Sequence, residues 1–196
     1  MPAIKERIIA LAARAIMSDE DVRAQLEQDH VEAKDLAERI CKAKQTQQRK
    51  NLLVQLKTKL TAHSRAEEKV VYDALLTLKR RDQAQQIANE GYVEHAIVDQ
   101  LLADLEVADA STNEWKAKAK VLKELLAHHI DEEQTETFSE LGATFSSEDL
   151  EQMGIRFNKE KSKLLRTLDG KSKNKPERRS QPASRGNGQR RVNASA

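Results

Sequence analysis

The chain has 196 residues, of which 34% are charged and only 3% are aromatic. This composition is more typical of long helices with solvated charged faces than of a β-sheet protein. One cysteine excludes an internal disulfide framework, and no apolar run reaches the roughly 18 residues of a transmembrane helix. We therefore expect a cytoplasmic chain that makes no contact with a membrane.

The net charge of +2 conceals a difference between the C-terminal segment and the rest of the chain. Residues 171–196 contain eight basic residues and one acidic residue, whereas the preceding 170 residues have a net charge of −5. Because residues 170–196 contain almost no large apolar side chain, we predict a disordered basic tail there. Two interpretations are open: a solubilising segment without a partner, or an electrostatic arm that contacts nucleic acid or another acidic surface.

Apolar residues recur at helical spacing along most of the remaining chain. An amphipathic helix is predicted within residues 1–18, and a C-terminal helix within 146–169. Between them the pattern predicts four long helices, over about 18–43, 48–79, 83–107 and 112–141. Capping boxes are predicted at Ser18 with Asp21 and at Ser111 with Glu114. Short connections favour antiparallel neighbours, so the predicted fold is all-α, with an up-down four-helix bundle over 19–145 and flanking helices.

Each of the four long helices has one histidine near its middle, on the apolar face. Successive members of this set are 33, 32 and 34 residues apart: His30, His63, His95 and His129. In an up-down bundle such spacing brings the four imidazoles to one level. The second and fourth helices add a carboxylate one turn further along the same face, Glu67 and Glu133.

These buried polar groups predict a metal site. Burying them without partners would cost several kcal/mol, most of it from the carboxylates. Imidazole nitrogens and carboxylate oxygens suit iron, manganese or zinc. Two carboxylates can bridge two ions, with histidines in the terminal positions, which favours a dinuclear site over a mononuclear one. A single buried histidine is more often an ordinary hydrogen-bonded core residue, but its repetition in four helices favours metal ligation.

Adjacent residues on a helix point about 100° apart, so His128 and His129 cannot both face the core. His129 shares its face with Leu126 and Glu133, whereas His128 pairs by the same spacing with Glu132 on a flank. We therefore predict that His129 binds metal and that His128 does not. The single cysteine, Cys41, lies roughly 16 Å along the helix from His30 and is expected to be a small buried core residue rather than a ligand.

Four segments carry a resemblance to a known family: LEQDHVEAKDL (26–36), LTAHSRAEEKVVYDAL (60–75), VEHAIVDQLL (93–102) and LLAHHIDEEQTETF (125–138). Together they resemble the hemerythrin family, specifically its HHE cation-binding branch. The resemblance implies a four-helix bundle that holds a non-haem di-iron centre, with two iron ions per chain. It implies that the four histidines named above are the nitrogen ligands, and that Glu67 and Glu133 are the bridging carboxylates.

One position departs from the oxygen-carrying hemerythrins, which have two histidines four residues apart on the third helix. Here Gly91 and Asp99 stand four residues before and after His95. One imidazole fewer weakens the expectation of reversible oxygen carriage, and an open coordination position could instead admit peroxide, nitric oxide or a solvent ligand. Four residues are candidates for an additional oxygen ligand: Glu68, Tyr92, Asp99 and Glu132.

Three functions follow as expectations. The first is a binding protein that senses, stores or scavenges oxygen or a related small molecule. The second is an enzyme that consumes peroxide or nitric oxide. The third is a metal module that the basic tail delivers to nucleic acid.

Overall fold

The computed structural model describes residues 18–79 and 81–173. The amphipathic helix predicted within residues 1–18 lies outside the described residues, apart from Ser18, and so does the predicted tail from residue 174 onward. The last helix continues to Lys173, beyond its predicted end near residue 168.

The regular secondary structure of the described residues is all helical, which confirms the predicted fold class. Its α-helices are α1 (Val22–Lys42), α2 (Thr46–Glu67), α3 (Asp73–Leu76), α4 (Asp82–Val107), α5 (Asn113–Glu132), α6 (Phe138–Thr144) and α7 (Ser147–Lys173). One π-helical turn, π1 (Glu68–Tyr72), joins α2 to α3, and a second, π2 (Glu133–Thr137), joins α5 to α6. The segments α2–π1–α3 and α5–π2–α6 are therefore continuous rods. With α1 and α4 they form the four-helix bundle, and α7 packs on its outside.

Two helix caps differ from the predicted capping boxes. The Asp21 carboxylate accepts the Arg23 backbone N–H at 2.9 Å, so Asp21 and not Ser18 caps α1. At α5 the Thr112 hydroxyl accepts the Trp115 N–H at 3.2 Å. Ser111 instead belongs to the preceding turn, where its N–H donates to the Asp109 carboxylate at 2.9 Å, and the helix begins one residue later than predicted.

Two apolar clusters fill the bundle, one on each side of the histidine level. The upper cluster is built from the C-terminal part of α1, the middle of α2, the C-terminal half of α4 and the first half of α5. Trp115 anchors it, since the buried indole N–H donates to the Leu105 carbonyl oxygen at 3.0 Å. The lower cluster joins the start of α1 to π1, α3 and α7. The histidine level is thus enclosed from above and below.

Helix α7 packs against α1 and α2 rather than extending away from the bundle. Gly154 permits this close approach, because a Cβ atom there would lie 1.9 Å from the Glu20 carbonyl oxygen. Further along α7, the Lys161 ammonium group contacts both carboxylate oxygens of Asp29, at 2.8 and 2.9 Å. The helix therefore brings a cation to the edge of the histidine level. In the described ranges, no helix combines the length and apolarity needed to cross a membrane.

The expectation for Cys41 is wrong. The residue is exposed on α1, and its sulfur lies 3.7 Å from the Ala119 carbonyl oxygen. The apolar face of α1 ends with the buried residues Ala37, Ile40 and Ala43, so position 41 falls on the adjacent flank.

Candidate metal centre

The structure brings all six predicted ligand residues into one buried cluster at the middle of the bundle. Each of the four histidines lies on a different helix of the bundle (α1, α2, α4 or α5), and all four are buried. They form two pairs of edge-on rings: His30 with His63 at 5.1 Å, and His95 with His129 at 4.9 Å between ring centroids. The near-equal spacing of the histidines in the sequence therefore does produce a single level.

The donor atoms fall into two trios. One consists of His30, His63 and Glu133, and the other of Glu67, His95 and His129. Within each trio the potential ligand atoms lie within 4.8 Å of one another. This arrangement offers two neighbouring positions for a cation.

Each carboxylate reaches both trios. Oε2 of Glu67 lies 3.5 Å from Nε2 of both His63 and His95. Oε2 of Glu133 lies 3.0 Å from Nε2 of His30 and 3.7 Å from Nε2 of His129. Both carboxylates are therefore placed as groups that could bridge two ions.

Several buried polar atoms of the cluster lack a hydrogen-bond partner among the described residues. Within the described part of the chain, no hydrogen bond of ordinary geometry reaches the buried oxygens of Glu67 and Glu133 or the nitrogens of His30. A buried carboxylate without a donor is costly, and a cation would supply the missing partner. The donor set therefore fits a metal ion, and its mixture of imidazole and carboxylate suits iron, manganese or zinc.

The two carboxylates differ in their pKa. Burial and the neighbouring Glu133 charge raise the pKa of Glu67 well above its usual range. Burial also opposes ionisation of Glu133, but the charge of His30, whose Nε2 lies 3.0 Å from Glu133 Oε2, outweighs it and lowers the pKa of Glu133. Without metal, ionisation is therefore less favourable at Glu67 than at Glu133, and a cation bound by both carboxylates would favour the ionised form of each.

Three of the histidines have a carboxylate at the ring nitrogen that points away from the cluster. His63 Nδ1 lies 3.1 Å from Asp29, and His95 Nδ1 lies 3.1 Å from Glu68. His129 Nδ1 lies 2.6 Å from Glu94. Such contacts fix the tautomer and aim the other nitrogen, Nε2, at a metal.

These contacts also adjust the histidine pKa values. Burial lowers the pKa of His63 and of His95, despite the carboxylate beside each. Burial acts the same way on His129, but its hydrogen bond to Glu94 and the Glu133 charge outweigh it and raise its pKa. Neutral imidazole, the form that binds metal, is thus favoured at His63 and His95.

Asp29 and Glu94 were not singled out from the sequence. Each precedes a predicted histidine ligand by one residue, and each serves a histidine of a different helix. An acidic residue directly before a histidine is the only signal the sequence offers for such a contact, and it does not identify the partner.

The structure places the four candidates for an extra oxygen ligand outside the cluster. Glu68 contacts His95 Nδ1, Asp99 pairs with the guanidinium of Arg65, and the Tyr92 hydroxyl donates to Asp73 at 3.0 Å. Glu132 pairs instead with His128 at 3.2 Å on the surface. The His128 side chain is 60% exposed, so the structure places it on the flank, away from the buried trios.

Both carboxylate-bearing rods change to π-helix at the cluster. The π1 turn begins directly after Glu67, and π2 begins at Glu133 itself. A π turn accommodates an extra residue and rotates the residues that follow it. A regular α-helix would keep Val70 and Ala74 on the buried face, whereas π1 also buries Val71 and Tyr72. Tyr72, which the sequence analysis did not consider, therefore lies beside Glu67 and His95.

A cavity of about 120 Å³ adjoins the upper side of the cluster. All four ligand histidines line it, together with apolar side chains of the upper cluster that include Leu60, Val98 and Leu126. Asp29 and Lys161 lie at its α7 side. An apolar cavity of about 150 Å³ accepts benzene, so this cavity has room for a small molecule beside the histidines.

The comparisons agree with this geometry. The family model described as hemerythrin HHE cation binding domain matches residues 21–141. A relative from Nostoc sp. (strain PCC 7120), named DNA nickase, is 25% identical over 154 residues. The match covers 79% of this chain but only 43% of that relative, so this chain spans less than half of its length. The crystal structure of a hemerythrin HHE cation binding domain-containing protein from Mycobacterium kansasii has a TM-score of 0.66. It is 22% identical, with 79% of this chain and 93% of that chain covered, and it shows likeness of fold.

Proposed function

The chain belongs to the hemerythrin HHE cation-binding domain family, and on that basis we propose that it is a non-haem di-iron protein. In this proposal the iron pair binds dioxygen or a related small molecule, which the protein senses, stores or scavenges. The observation that carries the proposal is the buried cluster of four histidines and two unpartnered carboxylates beside a small cavity.

The two trios support a dinuclear site. His30 and His63 would hold one ion, His95 and His129 the other, and Glu67 and Glu133 would bridge them. Two negative charges from the bridging groups would offset part of the charge of the ions in this buried site. Manganese and zinc suit the same donors, but the family resemblance makes iron our proposal.

The protein's own groups would prepare this site for a small ligand. Bound iron would supply Lewis-acid and redox chemistry. Asp29, Glu68 and Glu94 hold three imidazoles with Nε2 facing inward. Apolar side chains bound the upper side of the cavity, whereas Asp29 and Lys161 lie at its α7 side.

The test is spectroscopic. Protein purified in air should contain about two iron ions per chain and show oxo-bridged ferric absorption bands. Reduction should bleach the bands and readmission of oxygen should restore them, whereas His63→Ala should show neither the bands nor full iron content. The surface variant His128→Ala is the matched control. Protein that takes up no iron under these conditions, with its helical content intact, would contradict the proposal.

A peroxide- or nitric-oxide-consuming enzyme is the second candidate. Its supporting observation is Gly91: the third bundle helix has one histidine at this level, whereas the same helix of the oxygen-carrying hemerythrins has two. Oxygen evolution from peroxide, abolished in both His63→Ala and Glu67→Ala, would favour turnover over simple binding. Iron-loaded protein that leaves peroxide unchanged would eliminate the peroxide activity.

The Nostoc relative and the basic segment together suggest a nucleic-acid partner. We propose that residues 171–196 bind nucleic acid electrostatically and that the buried cluster does not cleave it. The six candidate ligands are all buried, so their donor atoms are not accessible to a phosphodiester backbone. Duplex DNA should bind the full chain with an affinity that falls steeply with salt. Equal binding by a chain that ends at residue 170 would rule out this role.

A further inference from the structure

One face of helix α7 lies against the bundle at the histidine level. Residues on this face are three and four positions apart: Gly154, Phe157 and Lys161. The residues that match the family model end at 141, before α7 begins at Ser147. All six candidate ligands lie within the matched residues, so whatever α7 contributes to the site comes from outside the matched domain.

Phe157 brings α7 into direct contact with a candidate ligand. Its side chain is fully buried, and its ring meets the His63 ring edge-on, with 5.7 Å between the ring centroids. The Lys161 ammonium nitrogen lies 5.1 Å from the Phe157 ring centroid, a distance at which an aromatic ring attracts a cation. Phe157 therefore contacts both the His63 imidazole and the Lys161 side chain.

Lys161 also reaches His63 through a carboxylate. Its ammonium nitrogen lies 2.8 Å from Oδ1 and 2.9 Å from Oδ2 of Asp29, and this Oδ2 lies 3.1 Å from His63 Nδ1. The imidazole alone would hold one oxygen of Asp29 and leave the carboxylate group free to turn, whereas Lys161 holds both oxygens. The side chains of Lys161 and Asp29 are only 20% and 19% exposed, so salt and water screen this ion pair less than a surface pair. Lys161 therefore fixes the carboxylate where it can accept the His63 N–H.

The other trio contains a similar chain of contacts. The guanidinium group of Arg65 pairs with Glu68, whose Oε1 lies 3.1 Å from His95 Nδ1. In each trio, one histidine is thus backed by a carboxylate that a cation holds in place. The two cations differ in origin, because Arg65 lies three residues before its carboxylate on the same rod, whereas Lys161 comes from α7. This repetition in both trios supports a role for Lys161 at the metal site.

We propose that Lys161 is a positioning residue of the metal site, which holds Asp29 so that His63 donates its Nδ1–H to the carboxylate and directs Nε2 at the metal. The inference rests on the proposed di-iron function. Lys161 does not touch the ion and acts only through Asp29. Its effect is confined to the ion at His30 and His63, because it contacts the carboxylate partner of that trio alone. This ion therefore depends on a helix outside the matched domain.

Full-length protein with Lys161→Met tests this role, because methionine keeps most of the aliphatic stem and removes the charge. In isotope-labelled metal-free protein, NMR correlation of imidazole nitrogens with ring protons reports which nitrogen of His63 carries the proton. The wild type should hold this proton on Nδ1, whereas Lys161→Met should show a mixture of the two neutral forms. In chelator competition, the iron-loaded variant should release one of its two ions about tenfold more readily than the wild type. Lys161→Arg, which keeps the cation, should retain the Nδ1 form and an iron affinity within about twofold of the wild type.

Two further variants separate this role from a general loosening of α7. Glu160→Gln removes one charge of the ion pair between Glu160 and Lys69, which are 2.8 Å apart; this pair also joins α7 to the bundle but does not involve Asp29. It should leave the His63 proton on Nδ1 and iron release unchanged. Because Lys161 acts through Asp29, the double variant of Lys161→Met with Asp29→Asn should lose no more affinity than Asp29→Asn alone.

The outcomes distinguish this inference from the di-iron proposal. A Lys161→Met variant whose His63 proton and iron release both match the wild type would overturn the inference and leave the di-iron proposal standing. An effect of equal size in Glu160→Gln, or a further loss of affinity in the double variant, would also overturn it. Wild-type protein that binds no iron would overturn both.

Discussion

Replacing Glu67 with glutamine should stabilise the metal-free protein and destroy its metal site. The side chain is fully buried and makes no hydrogen bond of ordinary geometry within the described chain. Glutamine has nearly the same shape but cannot ionise, so the variant avoids the cost of a buried, unpaired carboxylate. Loss of the carboxylate removes one of the two groups that reach both trios. Metal should then stabilise the wild type much more than the variant.

The magnitude follows from the pKa of Glu67, which burial raises well above the ordinary value of 4.5. Below pH 4.5 the carboxyl is protonated in both the folded and the unfolded chain, and its ionisation costs no stability. As the pH rises, the unfolded chain loses the proton first, so the wild type is destabilised by about 1.4 kcal/mol per pH unit until the folded pKa is reached. Between pH 4.5 and neutrality this amounts to at most about 3.5 kcal/mol. Because the amide is itself imperfectly paired, we expect a net advantage of about 1–3 kcal/mol for the variant near pH 7.

Denaturant unfolding of chelator-treated protein, followed by circular dichroism at several pH values, measures this difference. The control is Glu132→Gln, the surface neighbour of Glu133, which should change the free energy of unfolding by no more than about 0.5 kcal/mol. With metal at about 100 times its dissociation constant, the wild type should gain about 2.7 kcal/mol. A metal-free variant that is less stable than the wild type, or whose advantage does not depend on pH, would refute the reasoning.

Three further predictions concern the site and the core. His129→Ala should lose metal while His128→Ala largely keeps it, as measured by metal analysis after dialysis; equal losses would show that the wrong face was chosen. Asp29→Asn should weaken metal binding about 10- to 100-fold in chelator competition by disturbing the orientation of His63, whereas the exposed Asp35→Asn should not; equal affinities would exclude an orienting role for Asp29. Trp115→Ala should lower the free energy of unfolding by about 3–5 kcal/mol in denaturant titrations because it leaves a large cavity in the upper cluster; a loss below about 1 kcal/mol would show that the cluster repacks freely.

The helical rods and the histidine level could be predicted because both depend on regular spacing. One histidine per helix, 32 to 34 residues apart, needs only an up-down connection to bring the imidazoles together. The carboxylates one turn further on follow from the same α-helical geometry. The π turns do not change the predicted positions of the histidines, because His63 precedes π1 and His129 precedes π2.

Tyr72 could not be predicted, because its burial depends on a departure from that regularity. The apolar spacing of an α-helix continues through Val70 and Ala74, and nothing in the sequence marks the start of a π turn after Glu67. The carboxylate partners of the histidines were missed for another reason. Asp29 and Glu94 each meet a histidine of a different helix, and such a contact depends on the rotation of one helix against another.

The most direct test of the central claim is anomalous diffraction from crystals of iron-loaded protein, with data collected at the iron absorption edge. The account predicts two iron peaks per chain, about 3.5–4 Å apart, at the histidine level. One peak should lie against His30 and His63 and the other against His95 and His129, with Glu67 and Glu133 between them. A third group whose ligand atoms lie within 4.8 Å of one another consists of Glu94, His128 and Glu132, outside the buried cluster. Iron bound only at this group, with the buried cluster empty, would contradict the proposed di-iron site.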